Sequence, residues 1–218
     1  MHSPPLEPLA SPQTDGAGAA GLVLVAPGST LAGPAGLQLA ARLAEPLGLW
    51  LLSEHAVQAA LGPEQGARWA TDPAGVLSYL AGRADLPPLE PGWLLPLPLD
   101  PGADLAASGC WAEALAAWRQ PALLLLPAAM PGQASQASGL ARAYGALLRS
   151  AAVPLLGLVQ LGGVWDPDAR RQDGLPWLGW LPADDAQPDA RDDALEALRQ
   201  VCRRRWRALR PGAQCGQA

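Results

Sequence analysis

Eight residues offer the clearest opening for chemistry. Gly28-Ser29-Thr30-Leu31-Ala32-Gly33-Pro34-Ala35 follows an apolar run and opens a helical segment, in the frame G-x-x-x-x-G-x-x. A phosphate-binding loop of this frame continues with Lys and then Ser or Thr. Here Pro34 stands at the Lys position and Ala35 at the hydroxyl position. The Lys would bring a cation to the terminal phosphates. Its backbone N–H would donate into the cradle, and Pro has no N–H. The hydroxyl would ligate Mg²⁺. Charge-assisted hydrogen bonds are worth about 1.5–3 kcal/mol each, so three losses cost about 5–9 kcal/mol if additive. That is a factor on the order of a thousand to a million in affinity or rate. The chain contains no Lys to compensate. The competing reading is an ordinary strand-to-helix turn that uses Gly28 and Gly33 for positive φ.

Other residue types suggest further sites. Glu54 and His55 follow the second apolar run, where an acid–base pair would sit in an α/β crevice. The alternative is a helix N-terminus whose dipole welcomes Glu54. Asp166, Asp168, Asp173, Asp184, Asp185 and Asp189 crowd the last third of the chain. Their spacing matches no cation loop, and solvated turns and helix caps explain them. Trp165, Trp177 and Trp180 lie near Arg170 and Arg171, a pairing of residue types that dominates protein–protein hot spots. Trp177 and Trp180 have odd spacing in a strand, so they face opposite sides and at least one belongs to the core. Six Arg and no acid lie between Arg199 and Arg210. Arg203, Arg204 and Arg207, with Trp165, Arg170 and Arg171, form the candidate partner surface. Docking of this helix on the sheet by Leu195, Leu198, Cys202, Trp206 and Leu209, with Arg stems snorkelling, is the structural alternative.

The 218 residues suit one domain. Lys, Asn, Ile and Phe are absent, and all four have AT-rich codons, which points to a GC-rich gene. Nine Trp supply bulk that Phe would otherwise give. A net charge of -5 provides no global basic field for nucleic acid or anionic lipid. Cys110, Cys202 and Cys215 are distant from one another and lack CxxC spacing, so neither a zinc site nor a disulfide framework is expected. With no signal-peptide pattern and no long apolar run, a cytoplasmic location is expected.

The elements that must position these residues alternate. Residues 1–20, rich in Pro, Ser, Gly and Ala, are expected to form a disordered tail. Residues 21–211 read as a single α/β domain and 212–218 as a C-terminal tail. Strands are expected at Gly21–Ala26, Leu47–Leu52, Ala122–Leu126, Val153–Val159 and Trp177–Leu181. Trp93–Leu97 carries Pro96 and is followed by Pro98, which demotes it to an edge or irregular piece. Helices are expected from Pro34 to Glu45, Glu54 to Leu61, Asp72 to Gly82, Asp104 to Trp118, Ala134 to Ser150 and Asp189 to Leu209. This alternation predicts a three-layer α/β fold, a mostly parallel sheet flanked by helices.

Ala122-Leu-Leu-Leu-Leu-Pro127, a helix, Ala152-Val-Pro-Leu-Leu-Gly-Leu-Val159 and Gly174-Leu-Pro-Trp-Leu-Gly-Trp-Leu-Pro182 together resemble the closing portion of dethiobiotin synthetases. The related ParA/MinD partitioning ATPases share much of this order, and Asp72–Ala84 resembles a short helix of the MinD branch. The resemblance covers residues 21–182 and implies a P-loop NTPase-like fold. It does not carry the activity over. The extra signature Lys of the MinD branch falls at Ser29. The Asn that helps read adenine falls at Leu161, beside Gln160. The substrate-contacting Lys of dethiobiotin synthetases has no counterpart near Ser53-Glu54-His55, and the acidic switch residues have no identifiable counterpart. The sequence therefore predicts a pseudo-ATPase, a degenerate P-loop NTPase with no cofactor, acting through a protein partner or as a homodimer. Two alternatives stand beside it. One is an ATP-dependent dethiobiotin synthetase-like enzyme with an unconventional site. The other is a membrane-surface or nucleic-acid adaptor using the terminal helix, for which the charge makes no strong case.

Overall fold

A computed structural model describes residues 21–82, 92–128, 134–183 and 186–209. The expected tails, together with Asp184, Asp185 and Arg210, lie outside the described residues, as does the end of the Asp72–Ala84 segment. Six strands, β1 (Gly21–Val25), β2 (Trp50–Leu51), β3 (Trp93–Pro96), β4 (Ala122–Pro127), β5 (Leu155–Leu161) and β6 (Trp177–Leu181), form one sheet in the order β2-β3-β1-β4-β5-β6. Every pairing is parallel. The described helices are α1 (Gly33–Leu47), α2 (Glu54–Gly66), α3 (Pro73–Gly82), α4 (Trp111–Ala117), α5 (Ala134–Ser150), α6 (Pro167–Gln172) and α7 (Pro188–Leu209). This is a three-layer α/β architecture of P-loop NTPase-like type. The order exchanges β2 and β3 relative to the dinucleotide-binding sheet 3-2-1-4-5-6.

Strand alternation builds a core on each face of the sheet. Leu22 and Leu24 of β1, with Leu123 and Leu125 of β4, pack beneath α1 and α7. Val23 and Val25, with Leu124 and Leu126, pack against α3, α4 and α5. Both faces are covered, so the strands are continuously apolar, as a buried parallel sheet requires. In α1 the buried stripe is Gly36, Ala40, Leu43, Ala44 and Leu47. Leu37 is only partly buried and Ala41 is exposed, so the helix is rotated slightly from the expected Leu37–Ala41 face.

Three expectations are corrected. β3 is an internal strand, between β2 and β1, despite Pro96. The reason lies in strand parity. Leu94 faces β2, where its carbonyl accepts from Leu52 N–H, and Leu97 faces β1, donating to Leu24 O at 2.9 Å. Pro96 shares the parity of Leu94 and points past the end of the two-residue β2. Its missing N–H therefore faces no ladder partner. The Asp104–Trp118 helix begins only at Trp111, because Gly109 at φ 67 turns the chain after a 3-10 turn at Ala106–Ser108. Helix α1 runs through Pro46 to Leu47 and stops at Gly48, whose φ of 67 places it in the left-handed region. Helix α2 bends at Gly62, φ 80, so its first segment coincides with the expected Glu54–Leu61.

Candidate functional site

β1 occupies the middle of the sheet, and the chain reverses direction around it. α1 carries the chain from β1 toward β2 on one face, while α4 and α5 serve β4 and β5 on the other. The crevice at the carboxyl end of such a strand is where α/β sheets bind ligands. The loop from Pro27 to Ala32 stands there, with Gly28 at φ 58 and Gly33 at φ 67. The structure thus brings Gly28, Ser29, Thr30, Gly33, Pro34 and Ala35 together at the carboxyl end of β1 and the start of α1.

The hydrogen bonds of this loop are turned to internal use. Thr30 donates to Pro27 O through Oγ1 at 2.7 Å and through its backbone N–H at 3.4 Å. Ala32 N–H donates to Ser29 O at 3.0 Å. Gly28 N–H donates at 2.7 Å to Asp100 Oδ2, in the segment after β3. Gly102 N–H donates to Asp100 Oδ1 at 2.9 Å, and Tyr144 Oη donates to Oδ2. Burial pushes the Asp100 carboxyl upward, but the bonds from Tyr144, Gly28 and Gly102 outweigh it and hold it below the ordinary carboxylate value. Burial, with the hydrogen bond and charge of Asp100, raises the Tyr144 phenol. An intramolecular carboxylate therefore occupies the Gly28 N–H. A second anion there would meet its charge.

Leu31 turns inward and is buried, which anchors the loop. Gly36 makes this turn feasible: a Cβ on Gly36 would lie 2.1 Å from the backbone carbon and oxygen of Leu31. Sequence reasoning missed Asp100, Tyr144 and Gly36. Asp100-Pro-Gly102 at the end of an apolar run was a visible turn signal, but its partners lie 72 and 44 residues away.

A cleft of about 440 Å³ adjoins the loop, lined by Gly33, Pro34, Ser53, His55, Trp69 and Pro98 among others. Ser53 caps α2 by accepting from Ala56 N–H at 3.2 Å. Glu54 accepts from Gln58 at 3.0 Å and from Trp69 Nε1 at 3.3 Å. Those partners commit Glu54 to fixing α2 and Trp69, which favours the helix-start reading of Glu54 and His55.

The second candidate region is the loop after β5. Gln160 is 1% exposed. Its Nε2 donates to the carbonyls of Gly162 at 2.9 Å and Val164 at 3.0 Å. Its Oε1 accepts from Arg170 at 2.9 and 3.2 Å. Arg170 also pairs with Asp173 at 3.0 Å and stacks over Trp177, 4.7 Å from the ring centroid. Trp177 meets Trp165 edge-on at 6.2 Å. Arg170 is therefore an internal brace, and little of its guanidinium is left at the surface. Arg171 points outward and pairs with Asp168.

Asp166 caps α6, and Asp189 lies in the first turn of α7. Among the described residues no group of three or more His, Cys, Asp or Glu is arranged to hold a metal ion. Helix α7 buries Leu198, Cys202 and Trp206 against the sheet, and burial pushes the Cys202 thiol up to about 12. Arg203, Arg204 and Arg207 are exposed on its outer side. No hydrogen bond or ion pair joins them to the Trp165–Arg171 region among the described residues. No described helix is long and apolar enough to cross a membrane. No protein-family model and no curated protein matches the chain.

Proposed function

We propose that this protein is a non-catalytic P-loop NTPase-like domain that acts through a protein partner. The observation that carries the reading is the Asp100 carboxylate on the Gly28 N–H. Pro34 and Ala35 add to it by removing the cation, one N–H donor and the Mg²⁺-ligating hydroxyl. Thr30 and Ala32 spend their N–H groups on the loop's own carbonyls. A nucleotide would have to displace Asp100, break these turns and forgo the Lys. A partner has two exposed features to grip: Val164, 89% exposed at the tip of the loop fixed by Gln160, and the outer face of α7.

Titration calorimetry of the full chain with Mg-ATP tests the reading. Binding no tighter than about millimolar is expected from the lost interactions. Micromolar affinity would sink the proposal, as would hydrolysis abolished by replacing Gly28 or Gly33.

The cleft beside Pro34 and His55 favours a second reading, an ATP-dependent dethiobiotin synthetase-like enzyme with an unconventional site. It requires the same nucleotide affinity, so the same titration decides between the two. A membrane-surface role for α7 is disfavoured by packing, because the apolar stripe that would enter a bilayer already covers the sheet.

A further inference from the structure

Helix α7 carries an unusual distribution of charge on the side it turns away from the sheet. Asp189, Asp192 and Asp193 stand exposed in its first half, and Arg203, Arg204 and Arg207 stand exposed in its second. Between them, Glu196 accepts from Gln200 at 2.9 Å and pairs with Arg199. The other six residues form no ion pair with one another or with the remaining described residues. Favourable interaction with the helix dipole reaches only the first and last turns. It accounts for Asp189 and Arg207 but not for the charges of the inner turns. Like charges one turn apart repel, so both halves are uncomfortable in isolation.

We propose that this face binds the same face of a second copy of the chain, with the two α7 helices antiparallel across a two-fold axis near the level of Leu198. A two-fold contact places the residue i of one copy against j of the other and j against i. An axis at Leu198 sets Asp189 level with the partner copy's Arg207, and brings Asp193 within one residue of the level of Arg204 and Asp192 within one residue of that of Arg203. The angular positions agree with this pairing. At about 100° per residue, the buried Leu198, Cys202 and Trp206 centre the inner face, and Asp193 and Arg204 lie opposite them on the centre line of the outer face. Asp189 and Arg207 share a line about 40° to one side. Asp192 and Arg203 share a line further round on that side, where Asp192 also borders the cleft beside α1. In a two-fold pair, equal flanks face each other. Each acid therefore meets a cation on the correct side, and symmetry repeats all three pairs at the other end.

Asp189 and Arg207 are 18 positions apart, about 27 Å along the axis, so the match extends over most of the helix. A parallel pair would set acid against acid, so the pattern also selects the direction. The buried side of α7 is already used by Leu198, Cys202 and Trp206, so self-association leaves the fold intact. The inference is independent of the state of the phosphate loop: it would stand if the protein bound ATP, and the loss of nucleotide binding would stand if the chain were a monomer.

Sedimentation equilibrium of the full chain at low ionic strength is expected to show a monomer–dimer equilibrium. It should dissociate as salt shortens the screening length from about 30 Å at 0.01 M to about 3 Å at 1 M. Two charge-reversed chains sharpen the test: in R203E/R204E/R207E both halves of the outer face are acidic, and in D189R/D192R/D193R both are basic. Each alone is expected to self-associate at least ~100-fold more weakly than the wild type. Mixed in equal amounts, they are expected to form a heterodimer, which also shows that both are folded. A wild type that stays monomeric in low salt overturns the proposal, as does a dimer unaffected by reversal or a mixture that fails to associate. Capture of the monomeric wild type by phosphatidylserine vesicles or a polyglutamate peptide, in place of self-association, likewise overturns it and assigns the Arg face to a foreign anionic surface.

Discussion

Two loops at the carboxyl end of the sheet use similar backbone and opposite polarity. The loop after β1 places Gly28 at φ 58, and the loop after β5 places Gly162 and Gly163 at φ 65 each. Both are pinned by a side chain from outside the turn. In the first, the pin is a carboxylate that receives an N–H, from Asp100 to Gly28. In the second, it is an amide that donates into carbonyls, from Gln160 to Gly162 and Val164. The β1 loop thus keeps an N–H turned inward, the polarity that holds an anion, and supplies the anion from its own chain. The β5 loop turns carbonyls inward and has no anion-binding character. On the proposed reading, the first loop keeps the direction of an anion-binding turn and fills it with its own carboxylate.

The strongest way to break the first loop without touching its polar groups is Gly36→Ala. The new Cβ would lie 2.1 Å from the Leu31 carbonyl group, and the atoms that must yield are backbone. A loss of about 3 kcal/mol is expected in urea unfolding, at the upper end of overpacking effects. A variant as stable as wild type would show that Leu31 does not anchor the loop.

Next comes Gln160→Leu in the second loop. It leaves two carbonyls and one edge of the Arg170 guanidinium without their buried partner. Unsatisfied buried polar groups cost about 1–3 kcal/mol each, with relaxation and water entry reducing the sum, so about 2–3 kcal/mol is expected. Hydrogen exchange should quicken at residues 162–165 and stay unchanged at Gly28. Arg171→Gln is the matched control. Its partner Asp168 is as exposed as itself, and an exposed pair contributes about 0–1 kcal/mol.

These contrasts also explain what the sequence disclosed. β1, β4, β6, α3, α5 and α7 were legible to within a residue or two, because apolar runs and caps are local signals. The strand-turn-helix frame from Gly28 to Ala35 was legible for the same reason. β3 was misread because Pro96 breaks a strand only if its missing N–H faces a partner. That depends on where β2 ends, a fact of tertiary pairing. The bracing of Arg170 was not legible because its stacking on Trp177 and its bonds to Gln160 join three different elements. Asp100 was unreadable as a clamp since nothing near it in the chain mentions Gly28 or Tyr144.

Asp100→Asn weakens the first pin while preserving its shape. The expected loss near pH 7 is about 1 kcal/mol, that of a charge-assisted hydrogen bond in a partly exposed setting. The pH dependence gives the sign. Asp100 is held below its ordinary pKa, so its contribution is fully present above the unfolded value, about 3.9, and is lost as pH falls through the folded value. The difference in melting temperature between wild type and Asp100→Asn should therefore persist at pH 5–8 and shrink below about pH 4. A difference constant to pH 2 would mean that the carboxylate charge plays no part.

The smallest effect is an equality. Gly28→Ala and Gly162→Ala each place a Cβ where no atom lies within 4 Å, so packing contributes nothing at either site. The cost at both is that of holding an L-residue at positive φ, roughly 1 kcal/mol. The two loops differ in what their dipoles face and not in backbone conformation, so the two losses should agree within about 0.5 kcal/mol in chemical denaturation. Gly163→Ala sets the contrast: its Cβ would come within 2.5 Å of the Ala128 Cβ, where the second loop leans on the end of β4. That variant should lose clearly more than either. If Gly28→Ala proves much costlier than Gly162→Ala, the Gly28 N–H geometry toward Asp100 depends on that residue's dihedral angles more tightly than open space implies. The anion pin would then be the more demanding of the two.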